Sequence, residues 1–134
     1  MYPVGINRAL QQYHHAVVAE ISEADPHRLI QMLFEGALQR IAIARGAMQQ
    51  GDVAIKGNRI SSAIAIIEGL RSHLDTQRGG EIAANLEALY DYMQQRLLQA
   101  NLHNDIEILD EVVGLIRQIK AGWDAIAKQQ AVAS

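Results

Sequence analysis

Residues 25–51 read DPHRLIQMLFEGALQRIAIARGAMQQG and carry the clearest helix signals in the chain. Asp25 is a favourable N-cap because its carboxylate accepts a hydrogen bond from a backbone N–H group of the first turn. Pro26 suits the first helical position, where a backbone N–H group is not needed. Gly51 adopts without strain the left-handed conformation that ends a helix. The stretch therefore predicts a helix from Pro26 to about Gln50.

Two more helical segments follow this one. Asp52 caps a second segment, which runs to about Leu74. A turn-rich stretch at residues 75–80 separates it from a third segment at about residues 81–101. Because the connections are short, we expect these helices to pack against one another in opposite directions.

The last helix begins at a capping box. Asn104 is followed three residues later by Glu107, and the periodic apolar pattern then continues to about Lys128. Four long helices with short connections are most simply an antiparallel bundle. The predicted fold class is therefore all-α: an antiparallel four-helix bundle with a short N-terminal helical segment.

The chain divides into one domain and two flanking segments. Residues 25–128 form the predicted bundle. Residues 1–24 precede it as a mobile N-terminal segment with a short, weaker helical pattern, and residues 129–134 form a tail that we expect to fray.

The composition excludes several classes of protein. Of the 134 residues, 49% are hydrophobic but only 4% are aromatic, and Thr76 is the single threonine, which disfavours a β-rich architecture. There is no cysteine, so disulfides and thiolate zinc sites are excluded. A net charge of −3 gives no reason to expect a nucleic-acid partner. Since no apolar run reaches the roughly 18 residues of a membrane span and residues 1–10 lack a secretory signal, we expect no membrane insertion and a cytosolic location.

Two of the helices carry more apolar surface than one bundle core needs. The expected core stripes are Leu29, Ile30, Leu33, Ala37, Ile41 and Ala44 in the first helix, Val53, Ile60, Ala63, Ile64, Ile67, Leu70 and Leu74 in the second, Ile82, Leu86, Leu89, Tyr90, Met93 and Leu97 in the third, and Ile108, Leu109, Val112, Leu115, Ile116, Ile119, Trp123 and Ile126 in the last. Outside these stripes, the first helix adds Met32, Phe34, Leu38 and Ile43, and the second adds Ile55, Ser62, Ala65, Ile66 and Gly69. The N-terminal segment, a second copy of the chain or a partner helix is expected to cover this surplus, except where the residues are ordinary exposed apolar ones.

Motifs for metals and catalysis are not recognisable. Di-iron bundles need Glu-x-x-His, and none of the five histidines has a glutamate three residues before it. His14 and His15 are adjacent and point to different sides of a helix, so they do not clamp one metal ion. No glycine-rich phosphate-binding pattern occurs. We therefore expect no cofactor, no metal and no catalytic residue.

One observation favours an enzyme instead. Arg40, Lys56 and Arg71 fall within the apolar arcs of their helices, as they would in a small helical mutase that binds a dianionic substrate inside its bundle. The alternative is that these long side chains extend from the edge of the core to water, or pair with Glu35, Glu68 or Asp75. We favour the second interpretation because the stripes offer few other polar groups.

Several sequence blocks together resemble the flagellar secretion chaperone family FliS. They are ADPHRLIQMLFEGA at residues 24–37, GGEIAANL at 79–86, LYDYM at 89–93, RLLQANL at 96–102 and the tryptophan Trp123 near the end of the last helix. The similarity covers the chain from about Ile6 to Trp123. Each block alone is a weak signal, whereas the set at fixed spacing is specific.

The resemblance implies a cytosolic export chaperone that is not an enzyme. Such a protein binds the disordered C-terminal segment of flagellin, prevents premature polymerisation and delivers flagellin to the flagellar type III export apparatus. The resemblance further implies that Ile6, Leu10 and Tyr13 lie on an N-terminal helix that covers part of the binding groove and contacts a component of the export gate. A disordered segment that folds onto apolar grooves as helices suits the surplus apolar surface.

The residues that contact the partner must differ from those that fill the core. Leu86, Leu89, Met93, Leu97 and Trp123 lie on stripes, and we expect them to pack in the core. The candidates for flagellin contact are Phe34 and Leu38 in the first helix, Ile55 and Ile66 in the second, and Tyr92 and Leu98 in the third. The alternatives that remain open are the mutase-type enzyme and a structural helical dimer, and a chaperone of this kind can also form a weak homodimer.

Overall fold

The computed structural model describes the backbone of residues 25–133 and the side chains of residues 25–75 and 77–126. Over these residues it has four helices and no strand: α1 (Pro26–Gln50), α2 (Val53–Ser72), α3 (Thr76–His103) and α4 (Ile106–Ala133). The helices form a ring in which α1 and α3 each pack against both α2 and α4. The predicted all-α four-helix bundle is confirmed, and the N-terminal segment, residues 1–24, lies outside the described residues.

The ends of α1 are those that the sequence predicts. The Asp25 carboxylate accepts a hydrogen bond from the backbone N–H of His27 at 3.0 Å, and Pro26 occupies the first turn. Gly51 has φ 73° and donates its backbone N–H to carbonyl groups of the last turn. Both caps satisfy backbone groups that a helix end leaves without an intrahelical partner.

The start of α3 differs from the prediction. The carboxylate of Asp75 accepts hydrogen bonds from two backbone N–H groups at 3.2 and 3.0 Å, so the helix begins at Thr76. Within α3, only Gly80 leaves helical geometry, with φ 54° and ψ −127°. The prediction of a turn over residues 75–80 was therefore wrong. Asp75 caps a helical turn there, and the irregularity is reduced to a kink at one glycine.

Gly80→Ala is expected to destabilise the bundle by roughly 1–3 kcal/mol, because a residue with a Cβ atom is strained at this positive φ. The control is Gly114→Ala in α4, where an added Cβ meets nothing within 4 Å and φ is not positive. Gly114→Ala is expected to stabilise the helix by roughly 0.5–1 kcal/mol. Thermal denaturation followed by circular dichroism measures both changes. Equal melting temperatures for the two variants would contradict the geometry at Gly80.

The turn between α3 and α4 also corrects a prediction. Asn104 adopts the left-handed conformation, with φ 54° and ψ 47°, and ends α3 by donating its N–H to the carbonyl of Ala100. Asp105 then accepts a hydrogen bond from the backbone N–H of Glu107 at 3.0 Å. The predicted capping box was wrong because asparagine tolerates this conformation better than most residues, which leaves Asp105 to cap α4. The helix continues beyond its predicted end near Lys128.

Among the described residues, α1 and α2 make the most extensive contact of any helix pair, and small residues lie at it. Ala37 and Ala44 of α1 and Ala63 of α2 are fully buried. A Cβ atom on Gly36 would lie 3.4 Å from the Cδ1 atom of Ile66, so the Ile66 side chain packs directly onto the α1 backbone there. The largest fully buried side chains of the core are Phe34, Ile41, Ile60, Ile67, Met93, Leu97, Leu109, Val112 and Ile116.

Some residues of the predicted core stripes do not lie in the core. Val53 and Ile82 are largely exposed at the edge of the bundle, Val53 as the first residue of α2 and Ile82 two residues after the kink at Gly80. Ile126 of α4 is also exposed. Lys56 is buried instead, and its Nζ atom donates hydrogen bonds to the Asn101 carbonyl at 3.1 Å and to Asn104 Oδ1 at 3.2 Å. A buried ammonium group needs such acceptors. Lys56 therefore fixes the start of α2 against the end of α3.

None of the helices in residues 25–133 combines the length and the apolar character that crossing a membrane requires.

Candidate functional site

At one end of the bundle the four helices line an apolar cavity of about 360 Å³ that is partly open to solvent, which we call the end cavity. It lies between the start of α1, the end of α2, the first half of α3 and the last part of α4. Its walls include Phe34, Leu70, Tyr90, Ile119 and Trp123, and no Asp, Glu, Lys or Arg of the described part of the chain lines it. Its volume is at the lower end of the range of protein ligand pockets. The sequence does not predict this cavity, because it forms only where all four helices meet.

One wall of the end cavity is held in place by Trp123. The indole Nε1 atom donates a hydrogen bond to the His27 carbonyl oxygen at 3.1 Å, and the two rings stack with their centroids 4.2 Å apart and their planes 6° from parallel. The His27 Nε2 atom is buried and has no hydrogen-bond partner among the described residues. The contact joins α4 to the first turn of α1, so it fixes the tryptophan that the sequence assigns to packing.

Asp124 joins the same two helices beside the stacked rings. Its carboxylate accepts a hydrogen bond from Gln31 of α1 at 2.8 Å and another from Lys120 at 2.6 Å. The hydrogen bond from Lys120, and then that from Gln31, holds the pKa of Asp124 below its ordinary value. The carboxylate is therefore ionised at neutral pH and stabilises the closure of α4 on α1.

Asp124→Asn is expected to lower the free energy of unfolding by up to roughly 1 kcal/mol at neutral pH. A carboxyl group with a lowered pKa in the folded state stabilises the fold above its unfolded pKa, near 4, and loses this effect as the pH falls through the folded pKa. The difference in melting temperature between the wild type and the variant should therefore be constant from pH 7 to about pH 5 and shrink below about pH 4. A difference that persisted undiminished at pH 2.5 would show that the charge of Asp124 is not its cause.

The candidates for flagellin contact lie in three different environments. Phe34 is 1% exposed and packs in the core, so its prediction as a surface residue is corrected. Leu38 and Ile66 are half-buried and pack against the core from the edge of α1 and α2. Ile55, Tyr92 and Leu98 are exposed. Phe34 is covered because it continues the α1 line through Ala37, Ile41, Ala44 and Met48, with helical spacings of three and four residues.

The candidates outside the core do not form one patch. Ile55 and Ile66 are eleven residues apart on α2, which places them on one face roughly 16 Å apart along the helix. Tyr92 faces α4, where its hydroxyl donates to the Glu111 carboxylate at 3.2 Å. Leu98, six residues farther along α3, lies about 120° from Tyr92 around that helix. The candidates therefore mark separate faces, so a partner that contacted them all would have to wrap around the bundle.

Three exposed apolar side chains near helix ends were not predicted from the sequence to be at the surface: Val53, Ile82 and Leu102. Val53 and Ile82 were assigned to core stripes, because periodicity alone does not show where a helix extends past its neighbours. Two features of the sequence could have indicated that these residues lie at helix starts: the cap at Asp52 directly before Val53, and the glycine pair before Ile82.

The three cations of the mutase hypothesis do not converge. The Nε atom of Arg40 donates to Ser62 Oγ at 3.4 Å, and Lys56 is held at the turn between α3 and α4. Lys56 and Arg71 are fifteen residues apart on α2, which separates their backbones by about 22 Å. Within the described residues they therefore offer no common site for a dianion.

Arg71 is matched by carboxylates rather than free for a substrate. Its guanidinium nitrogens lie 3.6 Å from Glu87, 3.6 Å from Asp91 and 3.9 Å from Glu68. This supports the interpretation that the long cationic side chains pair at the edge of the core. The described residues also contain no group of three or more His, Asp or Glu side chains that could hold a metal ion.

Comparison with known proteins gives one consistent result. The family described as flagellar protein FliS matches residues 9–130. A Pseudomonas aeruginosa protein named flagellar secretion chaperone FliSB is 50% identical over 121 residues, which cover 90% of this chain and 96% of the relative. Proteins named flagellar secretion chaperone FliS are 50% identical over 113 residues in Salmonella typhimurium, covering 84% of each chain, and 36% identical over 103 residues in Bacillus subtilis, covering 77% of this chain and 76% of the relative. With matches of this extent and the helical bundle described above, the chain belongs to the FliS family of flagellar proteins.

Proposed function

We propose that this protein is a cytosolic export chaperone for flagellin. It binds the disordered C-terminal segment of flagellin, keeps flagellin from polymerising early and delivers it to the flagellar type III export apparatus. The observation that carries this proposal is the similarity, over nearly the whole chain, to proteins named flagellar secretion chaperones. The finer roles come from the family resemblance in the sequence blocks.

The distribution of apolar side chains supports a binding function. Ile55, Tyr92 and Leu98 are exposed, and Leu38 and Ile66 border the core on α1 and α2. A segment that is disordered alone can fold as short helices against such faces and bury its own apolar side chains. Wrapping around several faces distributes the contact area, which suits a complex that must later be released for export.

The N-terminal segment has a separate role in this proposal. Ile6, Leu10 and Tyr13 lie outside the described residues, and by resemblance they cover part of the groove and contact a component of the export gate. Alanine at these three positions should weaken binding to that gate component in a pull-down with the chaperone–flagellin complex. Binding of the flagellin segment by the same variant should persist, which separates the two roles.

Isothermal titration calorimetry tests the main proposal. The titrant is a peptide with the C-terminal sequence of the flagellin encoded by the same genome, and the control is a peptide of the same composition in shuffled order. We expect a one-to-one complex with the native peptide and negligible heat with the shuffled one. If neither heat nor co-elution is found at tens of micromolar, the protein does not bind this segment and the proposal is wrong.

The alternatives predict different results. A mutase would lose turnover when Arg40, Lys56 and Arg71 are replaced by glutamine, whereas a chaperone should mainly lose stability. A structural dimer would remain dimeric in sedimentation at low micromolar concentration, whereas the proposed chaperone should be monomeric or weakly and reversibly associated there.

A further inference from the structure

Two arginines on the outer side of α1 and α2 differ from most other arginines of the bundle. The arginines that form ion pairs with carboxylates are Arg28, Arg45, Arg71, Arg78 and Arg96. Within the part of the chain that the structure describes, Arg40 of α1 and Arg59 of α2 form no such pair. Arg40 binds only uncharged groups, among them the Ser62 hydroxyl.

Arg40 and Arg59 lie along the same junction between two helices. The Nε atom of Arg40 donates a hydrogen bond to the Ser62 Oγ atom at 3.4 Å, which joins α1 to α2 there. Arg59 precedes Ser62 by three residues, so it lies about one turn away on the same side of α2. We call this face the α1–α2 seam and define it by residues at helix-neighbour spacings on the two helices: Arg40, Ile43, Ile55, Arg59, Ser62 and Ile66.

The α1–α2 seam also presents apolar side chains. Ile43 is 39% exposed and Ile55 is 44% exposed, and the half-buried Ile66 lies against Gly36 of α1. From Ile55 to Ile66 the seam extends roughly 16 Å along α2, the length of about three helical turns. Apolar side chains on such a face, with polar groups between them, are typical of a surface that binds an amphipathic helix.

The carboxylates of α1, α2 and their N-caps are engaged away from the two seam arginines. They are Asp25 and Asp52, which accept hydrogen bonds from backbone N–H groups at the helix starts, Glu35, which binds Arg28, and Glu68, which binds Gln94. Two positive charges therefore remain on the seam without a counter-charge from either helix. In a chain of net charge −3, this makes the seam a locally positive surface that attracts negative groups.

The charge of the seam disfavours a second copy of the chain as its occupant. A two-fold symmetric dimer brings the same patch of both subunits together. Arginines of one copy would then face arginines of the other, and like charges across an interface are unfavourable. The complementary occupant carries carboxylates beside apolar side chains.

We propose that the α1–α2 seam binds an acidic amphipathic helix of the segment that this chaperone carries. Apolar side chains of that helix lie against Ile55 and Ile66, and two carboxylates about one turn apart face Arg40 and Arg59. This inference rests on the proposed function and adds to it the face of the bundle and the chemistry that the bound segment presents there.

The test removes both charges of the seam in the full chain. Arg40→Gln/Arg59→Gln should weaken binding of the flagellin C-terminal peptide by roughly threefold to tenfold in calorimetry at about 50 mM NaCl, because two ion pairs at the edge of the interface are lost. At about 500 mM NaCl the difference from the wild type should shrink, since salt screens exposed charges.

The matched control loses the same charge elsewhere. Arg78 is almost fully exposed at the start of α3, and Arg117 is exposed on α4, the helix across the bundle from α2. Arg78→Gln/Arg117→Gln should keep the affinity of the wild type. Thermal denaturation of both double variants gives their stability, which should be close to that of the wild type.

A second measurement changes the peptide instead of the protein. Each Asp or Glu of the peptide is replaced in turn by Asn or Gln. At least one replacement should weaken binding to the wild type but have little effect on binding to Arg40→Gln/Arg59→Gln, as expected for a directly coupled pair in a double-mutant cycle. If every replacement affects both proteins equally, no carboxylate of the peptide faces the seam and the inference is wrong.

The remaining outcomes separate the inference from the proposed function. If the wild type binds no peptide, the proposed function is wrong and this inference falls with it. If the wild type binds and Arg40→Gln/Arg59→Gln binds equally well, the inference is wrong and the proposed function stands. If that variant keeps its affinity but loses more than about 5 °C in melting temperature, the seam is occupied by another part of the chain, which also overturns the inference.

Discussion

Phe34→Ala is expected to lower the free energy of unfolding by about 3–5 kcal/mol, which is a large share of the stability of a domain of this size. The side chain is 1% exposed and belongs to the central cluster with residues of all four helices, including Ile67, Met93 and Ile116. Truncation removes its contacts and leaves a void next to the end cavity. Urea denaturation followed by circular dichroism at 222 nm measures the change.

The control for this variant is Leu102→Ala. Leu102 is exposed near the end of α3, so its truncation should change stability by less than about 0.5 kcal/mol. If Phe34→Ala instead abolished binding of the flagellin peptide and left the urea midpoint unchanged, Phe34 would be a contact residue and its placement in the core would be wrong.

The case of Phe34 shows what helical periodicity does and does not determine. α1 is apolar around much of its circumference, so more than one stripe of i, i+3 and i+4 spacing fits its sequence. The line through Phe34, Ala37, Ile41 and Ala44 is buried, because its alanines let α1 approach α2 closely. The sequence shows how wide the apolar surface is, but the choice of stripe depends on the neighbouring helix.

Local sequence signals predicted where the helices lie along the chain more accurately than which residues fill the core. Asp25, Pro26 and Gly51 define α1 because caps act through backbone groups within a few residues. Lys56 was expected in an apolar arc, but its burial is explained only by acceptors at Asn101 and Asn104, which are distant in sequence. Interactions between distant segments are not visible in local spacing.

The candidate site was predictable in part for the same reason. Exposure of Ile55, Tyr92 and Leu98 agrees with their positions outside the predicted stripes. The end cavity depends on how the ends of four helices meet, which no pattern within one helix contains. Tyr90 lies on a stripe and therefore resembles any packing residue in the sequence.

Leu98→Asp is expected to weaken binding of the flagellin C-terminal peptide by about 30-fold or more, with almost no change in stability. Leu98 is 53% exposed, so the free protein loses little when the side chain becomes charged. In a complex that buries this face of α3, the carboxylate would be desolvated without a partner, a cost typical of central interface residues. Calorimetry gives the affinity, and thermal denaturation gives the stability of the same preparation.

Ile82→Asp is the matched control, because Ile82 is also an apolar residue of α3, is 74% exposed and is not a contact candidate. It should keep the affinity of the wild type. Ile66→Asp is less informative, since Ile66 packs against the core beside Gly36 and its replacement would also destabilise the fold. Equal weakening by Leu98→Asp and Ile82→Asp would point to a nonspecific effect of added negative charge. Unchanged affinity for Leu98→Asp would exclude this face of α3 from the interface and confine the bound segment to other faces, such as the α2 face that carries Ile55 and Ile66.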